Sequence, residues 1–183
     1  GIRDVAVTGV QTCALPILAS VLALVVSLGS VAACSNDSND VGERVVVSFE
    51  LDAKGSPLVV REVGANKQHR YGQAQLNGST ELAGEQVQVE LQCIINYENG
   101  NGPFDGFWTF TAPNGDLLAL SYQGESTLRN GVGTIRGTVR VIGGTGKYVN
   151  VTGTGEVAAS RKGNFSSSSV ISYTINMNLS GMP

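Results

Sequence analysis

The sequence predicts an all-β domain, a single antiparallel β-barrel of about eight strands that spans residues 43–183. Apolar and polar residues alternate along many short segments, which is the pattern of half-buried strands. Residues that favour tight turns separate these segments, and helix signals are nearly absent. A chain of many short strands must close its sheet edges, either as a barrel or as a two-sheet sandwich, and we favour the barrel.

Four segments alternate most clearly. In the first, Val47, Phe49 and Leu51 alternate with Ser48 and Glu50. The same period recurs in three further segments, at residues 87–95, 135–141 and 171–179. Weaker alternation predicts five more strands, at residues 57–63, 71–76, 104–111, 116–122 and 149–158. The chain is therefore expected to form eight or nine strands.

Turn signals lie between these strands, and each of them contains glycine, in most cases together with asparagine. Both residues tolerate positive φ angles, which tight hairpin turns require. The predicted turns lie at residues 54–57, 77–78, 99–103, 113–116, 130–131, 143–146 and 162–164.

Residues 1–17 are excluded from the predicted fold. Residues 7–17, VTGVQTCALPI, resemble the reading-frame translation of a sequencing adapter, a contaminant of assembled gene fragments. An export signal is expected to begin with a basic cluster, whereas Arg3 is the only base in this stretch. We interpret residues 1–17 as an adapter-derived artefact. The alternative is a genuine N-terminal peptide of unknown role.

Residues 18–33 are predicted to be a lipoprotein signal peptide, a helix outside the barrel domain. The apolar run ends in Val31-Ala32-Ala33-Cys34, and small residues before a cysteine fit the cleft of a signal peptidase. In a bacterial lipobox this cysteine, here Cys34, receives diacylglycerol on its thiol. The alternatives are an uncleaved membrane anchor and a secretory signal cleaved after Ala33.

Residues 34–42 are expected to form the lipidated cysteine and a polar tether. The membrane is then a partner, reached through lipid at Cys34. Ser35 is not the Asp that often signals retention in the inner membrane of enteric bacteria. This favours the outer membrane or the cell surface, with the domain in the periplasm or outside the cell.

Composition excludes several classes of function. The formal net charge is −3, so the release of counterions from nucleic-acid phosphates would not drive binding. Nucleic-acid binding is therefore not expected. The chain has one histidine, His69, and no CxxC or HExxH spacing, so we expect neither a metal nor another cofactor. Cys93 is the only cysteine after Cys34, so the single exported domain has no internal disulfide. The oligomeric state stays open.

The sharpest motif is GTIRGTVRVIGGTGKYVNVTGTGEVAAS, residues 133–160, which is a strand, a glycine turn and a second glycine-rich strand. With the preceding hairpin FWTFTAPNGDLLALSYQG, residues 107–124, it resembles the allene oxide cyclase and dirigent-like barrel superfamily, above all its uncharacterised bacterial secreted members. The resemblance implies an eight-stranded antiparallel barrel whose interior can hold a small hydrophobic molecule. No catalytic or pocket residue of the plant families aligns with a position here, so none is carried over.

Two pairs of residues are candidates for ligand binding. Trp108 and Phe110 share one face of their strand and form either core or the wall of a ligand site. Arg136 and Arg140 share the polar face of another strand. They are solvated if the barrel lumen is apolar, and they can bind an acidic ligand if the lumen is the polar side.

His69 and Cys93 are weighed as catalytic groups. His69 could act as a general base oriented by Glu62 or Glu50, but it lies in the polar run Lys67–Arg70, where a solvated histidine is ordinary. Cys93 could be a nucleophile, but it falls on the apolar phase of its strand, where a buried cysteine packs as a small hydrophobe. The catalytic residues therefore stay unassigned.

These observations predict a bacterial envelope lipoprotein whose barrel binds a small hydrophobic ligand or another envelope component without catalysis. The alternative is an enzyme of the cyclase or isomerase type that acts on a small hydrophobic substrate in the barrel cavity. A third possibility is a structural module with a filled barrel. The sequence does not identify the ligand or substrate.

Overall fold

The computed structural model describes residues 42–183. The sequence interpretations for residues 1–41 (artefact, signal helix, Cys34 and nearly all of the tether) lie outside this range. The described elements are nine strands and one short 3₁₀ helix, η1. In chain order these elements are β1 (Glu43–Asp52), β2 (Leu58–Val63), β3 (His69–Leu82), β4 (Glu85–Glu98), β5 (Gly102–Thr111), β6 (Leu117–Arg129), β7 (Val132–Gly144), η1 (Gly146–Tyr148), β8 (Thr152–Lys162) and β9 (Val170–Ser180).

Eight of the strands close into an antiparallel barrel. From β3 to β9 each strand pairs with the next along the chain, β9 pairs with β1, and β1 pairs with β3. The remaining strand, β2, pairs with β3 beside the closure. The predicted all-β antiparallel barrel is confirmed.

The closure shows that the predicted turn at residues 77–78 is wrong. Asn77 lies inside β3, opposite Asp52 of β1, and the turn to β4 follows at Ala83-Gly84. At Gly78 an added β-carbon would lie 2.7 Å from Cδ2 of Leu51, so the glycine permits the close approach of β1. The Asn-Gly pair therefore marks a tight strand contact rather than a hairpin end.

Strand β3 has two partners along one edge. Residues 69–74 pair with β2, from Val63 opposite His69 to Leu58 opposite Ala74. Further along, the hydroxyl of Thr80 donates to the carbonyl of Ser48 in β1 at 3.1 Å. β2 and β1 therefore share this edge of β3, where a single long strand could otherwise pair along the whole length.

The predicted turn at residues 143–146 also shifts along the chain. Gly143 and Gly144 complete β7, and the chain turns from Thr145 through η1. The ladder between β6 and β7 is shifted by one residue near Ala119, which leaves Ile142 as a bulge. An added β-carbon on Gly144 would lie 2.3 Å from the carbonyl oxygen of Tyr148, so η1 packs directly on the end of β7.

The core lies inside the barrel and is built from the inward phase of each barrel strand. In β9 the inward residues are all buried, while the outward residues between them are polar and mostly exposed. The inward residues of β9 are Ile171, Tyr173, Ile175, Met177 and Leu179. The same alternation in β4 and β1 confirms the faces predicted for their strongest segments.

Candidate functional site

The centre of the barrel is filled by six aromatic rings in mutual contact. Trp108 lies 4.2 Å from Tyr122 and meets Tyr173 edge-on at 5.6 Å, measured between ring centroids. Tyr122 also lies 4.4 Å from the ring of Phe104, and Tyr173 stacks on Phe49. Phe110 completes the cluster through an edge contact with Phe49.

Three of these rings carry buried polar atoms without a hydrogen-bond partner among the described residues. They are the indole nitrogen of Trp108 and the hydroxyl groups of Tyr122 and Tyr173. Burial raises the pKa of both tyrosines well above the usual value, so both stay protonated at neutral pH. All three groups can donate a hydrogen bond to an acceptor.

Cys93 lies on the same interior surface, in β4. It is buried, and burial raises the pKa of its thiol from 9.0 to about 11. The hydroxyl group of Tyr122 lies beside the thiol and acts to lower its pKa, but the effect of burial is larger. A protonated, inaccessible thiol is a poor nucleophile, which favours the packing interpretation of Cys93.

Of the residues that the structure describes, one charged side chain is buried inside the barrel. Arg161, near the end of β8, is only 3% exposed, and its Nη2 donates to the Ser126 hydroxyl at 3.1 Å. Its guanidinium carbon lies 5.4 Å from the centre of the Tyr97 ring. Its Nε and Nη1 have no partner among the described residues. Burial lowers the pKa of Arg161 and raises that of Tyr97 to about 12.

A groove of about 630 Å³ crosses the outer face of β2 to β6. Its middle carries two apolar side chains, Phe107 at 53% exposure and Ile94 at 43%. Two cross-strand rows build it. The Ile94 row is Val59, Gln73, Ile94, Asp105 and Gln123, and the Phe107 row is Gln75, Gln92, Phe107 and Ser121. We call this surface the Phe107 groove.

A second outer groove, of about 680 Å³, continues from the first across β6 to β9. The two share Ser121, Tyr122 and Gln123 as lining residues. The second groove is lined mainly by hydroxyl and amide side chains, with Arg140 and Glu156 as its two charged groups.

The structure separates the four residues predicted to bind a ligand. Trp108 and Phe110 lie in the interior cluster, fully buried. Arg136 and Arg140 point outwards from β7 and are exposed, and Arg140 lines the second groove. The two pairs therefore cannot contact one small ligand from the same side of the sheet.

Sequence reasoning missed Arg161 and did not single out Phe107 for the outer face. Arg161 follows Val157 and Ala159 on the inward phase of β8, but the strand was predicted to end at residue 158. The sequence signal that could have revealed it is that Arg161 occupies the next of the alternate positions that are apolar at Val157 and Ala159. Phe107 precedes Trp108, so period two places it on the opposite face.

His69 lies on the surface at the start of β3. Its Nε2 is 3.8 Å from a carboxylate oxygen of Glu98, and both side chains are about half exposed. Glu62, one of the carboxylates considered as its partner, lies instead 3.9 Å from Lys67. This placement agrees with a solvated histidine.

Within residues 42–183, no helix is long and apolar enough to cross a membrane. The same residues contain no cluster of three or more histidine, cysteine, aspartate or glutamate side chains placed to hold a metal ion. A comparison of the chain with known protein families finds no match, and a comparison with curated proteins also finds none.

Proposed function

We propose that this protein is a lipid-anchored component of the bacterial envelope whose barrel is a non-catalytic binding domain. We further propose that it holds its ligand or envelope partner at the Phe107 groove, on the outside of the barrel. The observation that carries this proposal is the pair of exposed apolar side chains, Phe107 and Ile94, at the centre of a large groove.

The groove has the composition expected of a binding site. Its volume of about 630 Å³ falls within the range of small-molecule sites. Phe107 and Ile94 are diagonal neighbours across β4 and β5, so one apolar surface can cover both. Glutamine side chains surround them and can both donate and accept hydrogen bonds. The groove therefore suits a ligand with one apolar face and with polar groups that can pair with these glutamines and with the side chain of Asp105.

The interior is less suited to a sizeable apolar ligand. Its centre is occupied by rings whose centroids are 4.2 to 6.4 Å apart, which is the spacing of direct aromatic contact. A ligand there would have to displace Trp108 or Tyr173 from close packing, at the energetic cost of repacking a core. For this reason we place the ligand outside.

The test is native mass spectrometry of the purified protein, followed by extraction of any molecule that copurifies. We expect a reproducible adduct that is lost in Phe107→Ala. A matched control is Ile142→Ala, which removes an equally exposed apolar side chain that does not line the groove. A bare protein from several hosts, or an adduct that Phe107→Ala leaves unchanged, would contradict the proposed site.

A cyclase or isomerase is the second candidate, and one observation favours it. Trp108, Tyr122 and Tyr173 direct unpartnered donors into the interior, where they could stabilise negative charge on a reacting oxygen. However, no carboxylate or histidine is buried among the described residues, so a general base is missing there. Conversion of the extracted ligand by wild-type protein, but not by Tyr173→Phe, would favour this candidate over simple binding.

A further inference from the structure

We propose that the end of the barrel around Arg161 is a binding site for a small monovalent anion, such as a halide or the carboxylate of a short organic acid. This site is separate from the Phe107 groove, because it lies inside the barrel rather than on its outer face. It does not depend on the function proposed above.

The first argument is uncompensated charge. Arg161 is 3% exposed, and a guanidinium stays charged at neutral pH even when burial lowers its pKa. Its side chain takes part in none of the ion pairs formed within 4.0 Å among the described residues. A buried charge without a counter-charge is strongly unfavourable, so an anion would remove a large penalty.

The second argument is the arrangement of hydrogen-bond donors. The Ser126 hydroxyl donates to the carbonyl of Gly100 at 3.4 Å and accepts from Nη2 of Arg161. This fixes one edge of the guanidinium, whereas Nε and Nη1 have no acceptor within residues 42–183. Both free nitrogens are donors only, so the missing partner must be an acceptor.

The third argument is that the surrounding chain makes room for the guanidinium. An added β-carbon on Gly133, in β7, would lie 2.9 Å from the guanidinium carbon and 3.1 Å from Nε. The Tyr97 ring lies beside the same group. Phe165, buried in the loop between β8 and β9, helps to close this end of the barrel, and Arg70 donates to its carbonyl. The charge is therefore held in a closely packed environment with little exposure to solvent.

Bromide is the probe that best distinguishes an anion from water. Crystals of the purified protein soaked in sodium bromide are expected to give an anomalous diffraction peak within hydrogen-bond distance of Nε or Nη1 of Arg161. The peak should be absent in Arg161→Met and present in Arg136→Met, which removes the same charge from the exposed face of β7. Ordered water on both nitrogens in crystals soaked in sodium bromide and also in crystals soaked in sodium acetate, with neither anion bound there, would overturn the proposal.

A solution measurement covers the case in which crystals are not obtained. In a buffer of low anion content, we expect the Tm of the wild-type protein to rise and saturate as sodium bromide or sodium acetate is added. Arg136→Met should retain this response and Arg161→Met should lose it. Replacing a buried charge by an apolar side chain is often neutral or stabilising, so Arg161→Met is expected to fold. The same rise in both variants would overturn the proposal.

The two anions separate the possible sources. A saturating response to acetate but not to bromide would identify the carboxylate of an organic acid as the ligand class. A response to bromide alone would identify a halide site. Either result supports an anion site at Arg161, whereas an unsaturable response to all salts, shared by every variant, would be general screening and would contradict it.

Discussion

The hydroxyl oxygen of Tyr122 lies over Gly106, 2.7 Å from the point where a β-carbon on that glycine would be placed. The two residues are directly opposite each other in the ladder between β5 and β6. Gly106 is also opposite Cys93 in β4, so the tyrosine ring extends across the glycine towards the thiol. The missing side chain at Gly106 is thus what allows Tyr122 to lie in the core.

Gly106→Ala should destabilise the barrel by about 1–3 kcal/mol, the usual range for overpacking a core. The new methyl group would lie 2.0 Å from the carbonyl oxygen of Gln92, so both the backbone and Tyr122 would have to move. Denaturant unfolding measures the change. Gly143→Ala is the matched control in a strand, because nothing lies within 4 Å of its added β-carbon. Equal effects of the two substitutions would contradict this account.

Trp108 is the only tryptophan, so its fluorescence reports on the centre of the barrel. Because its side chain is fully buried, we expect a blue-shifted emission that acrylamide quenches poorly until the protein unfolds. This measurement separates the two interpretations of Trp108 left open by its sequence. Efficient quenching in the folded protein would mean that the tryptophan lines an open ligand site.

Alkaline pH should destabilise the barrel, beginning near pH 9. The Cys93 thiol has a pKa of about 11 in the folded protein and 9.0 when free, so the unfolded chain loses its proton first. Its stabilising contribution is complete below pH 9 and is lost as the pH rises to 11, with a total on the order of 3 kcal/mol. Tyr97, with a pKa raised to about 12, extends the loss to higher pH.

Cys93→Ala tests this dependence directly. The variant should lose less unfolding free energy than the wild type between pH 8 and pH 11, whatever its stability at neutral pH. The measurement is denaturant unfolding at a series of pH values. Parallel pH profiles for the two proteins would show that Cys93 does not titrate in this window.

Lipid attachment at Cys34 is a prediction from the sequence alone, and it can be measured in cells. In a bacterial host with lipoprotein processing, the protein should incorporate labelled palmitate and partition with membranes. Cys34→Ser should abolish both, and Cys13→Ser should change neither. Labelling that persists in Cys34→Ser would exclude this residue as the lipid site.

The strand pattern of the fold was predictable where apolar residues alternate without interruption. Period two in residues 45–51, 87–95, 135–141 and 171–179 gave the inward faces of β1, β4, β7 and β9. Strand β3 was predicted too short, because Gly78 breaks the alternation. Its glycine is needed for contact with Leu51, a partner distant in sequence. A local sequence pattern does not show that a residue is required for contact with a strand distant in the sequence.

The candidate sites were harder to predict for a physical reason. Period two states that Trp108 and Phe107 face opposite sides, but it does not state which side is the core. It also does not show that outward residues from five strands line up into a groove, since that depends on register. Arg161 lay beyond the predicted end of its strand, so its burial was not expected.

The pairing of the first strand with the last has a consequence for folding. β1 finds its main partner, β9, more than a hundred residues later, with Arg44 donating to the Asn176 side chain across a separation of 132 positions. Until residues 170–180 have been made, β1 and β8 each keep an open edge that can pair with another chain. Closure is therefore a late, slow step, and a chain cut short before β9 should aggregate rather than fold.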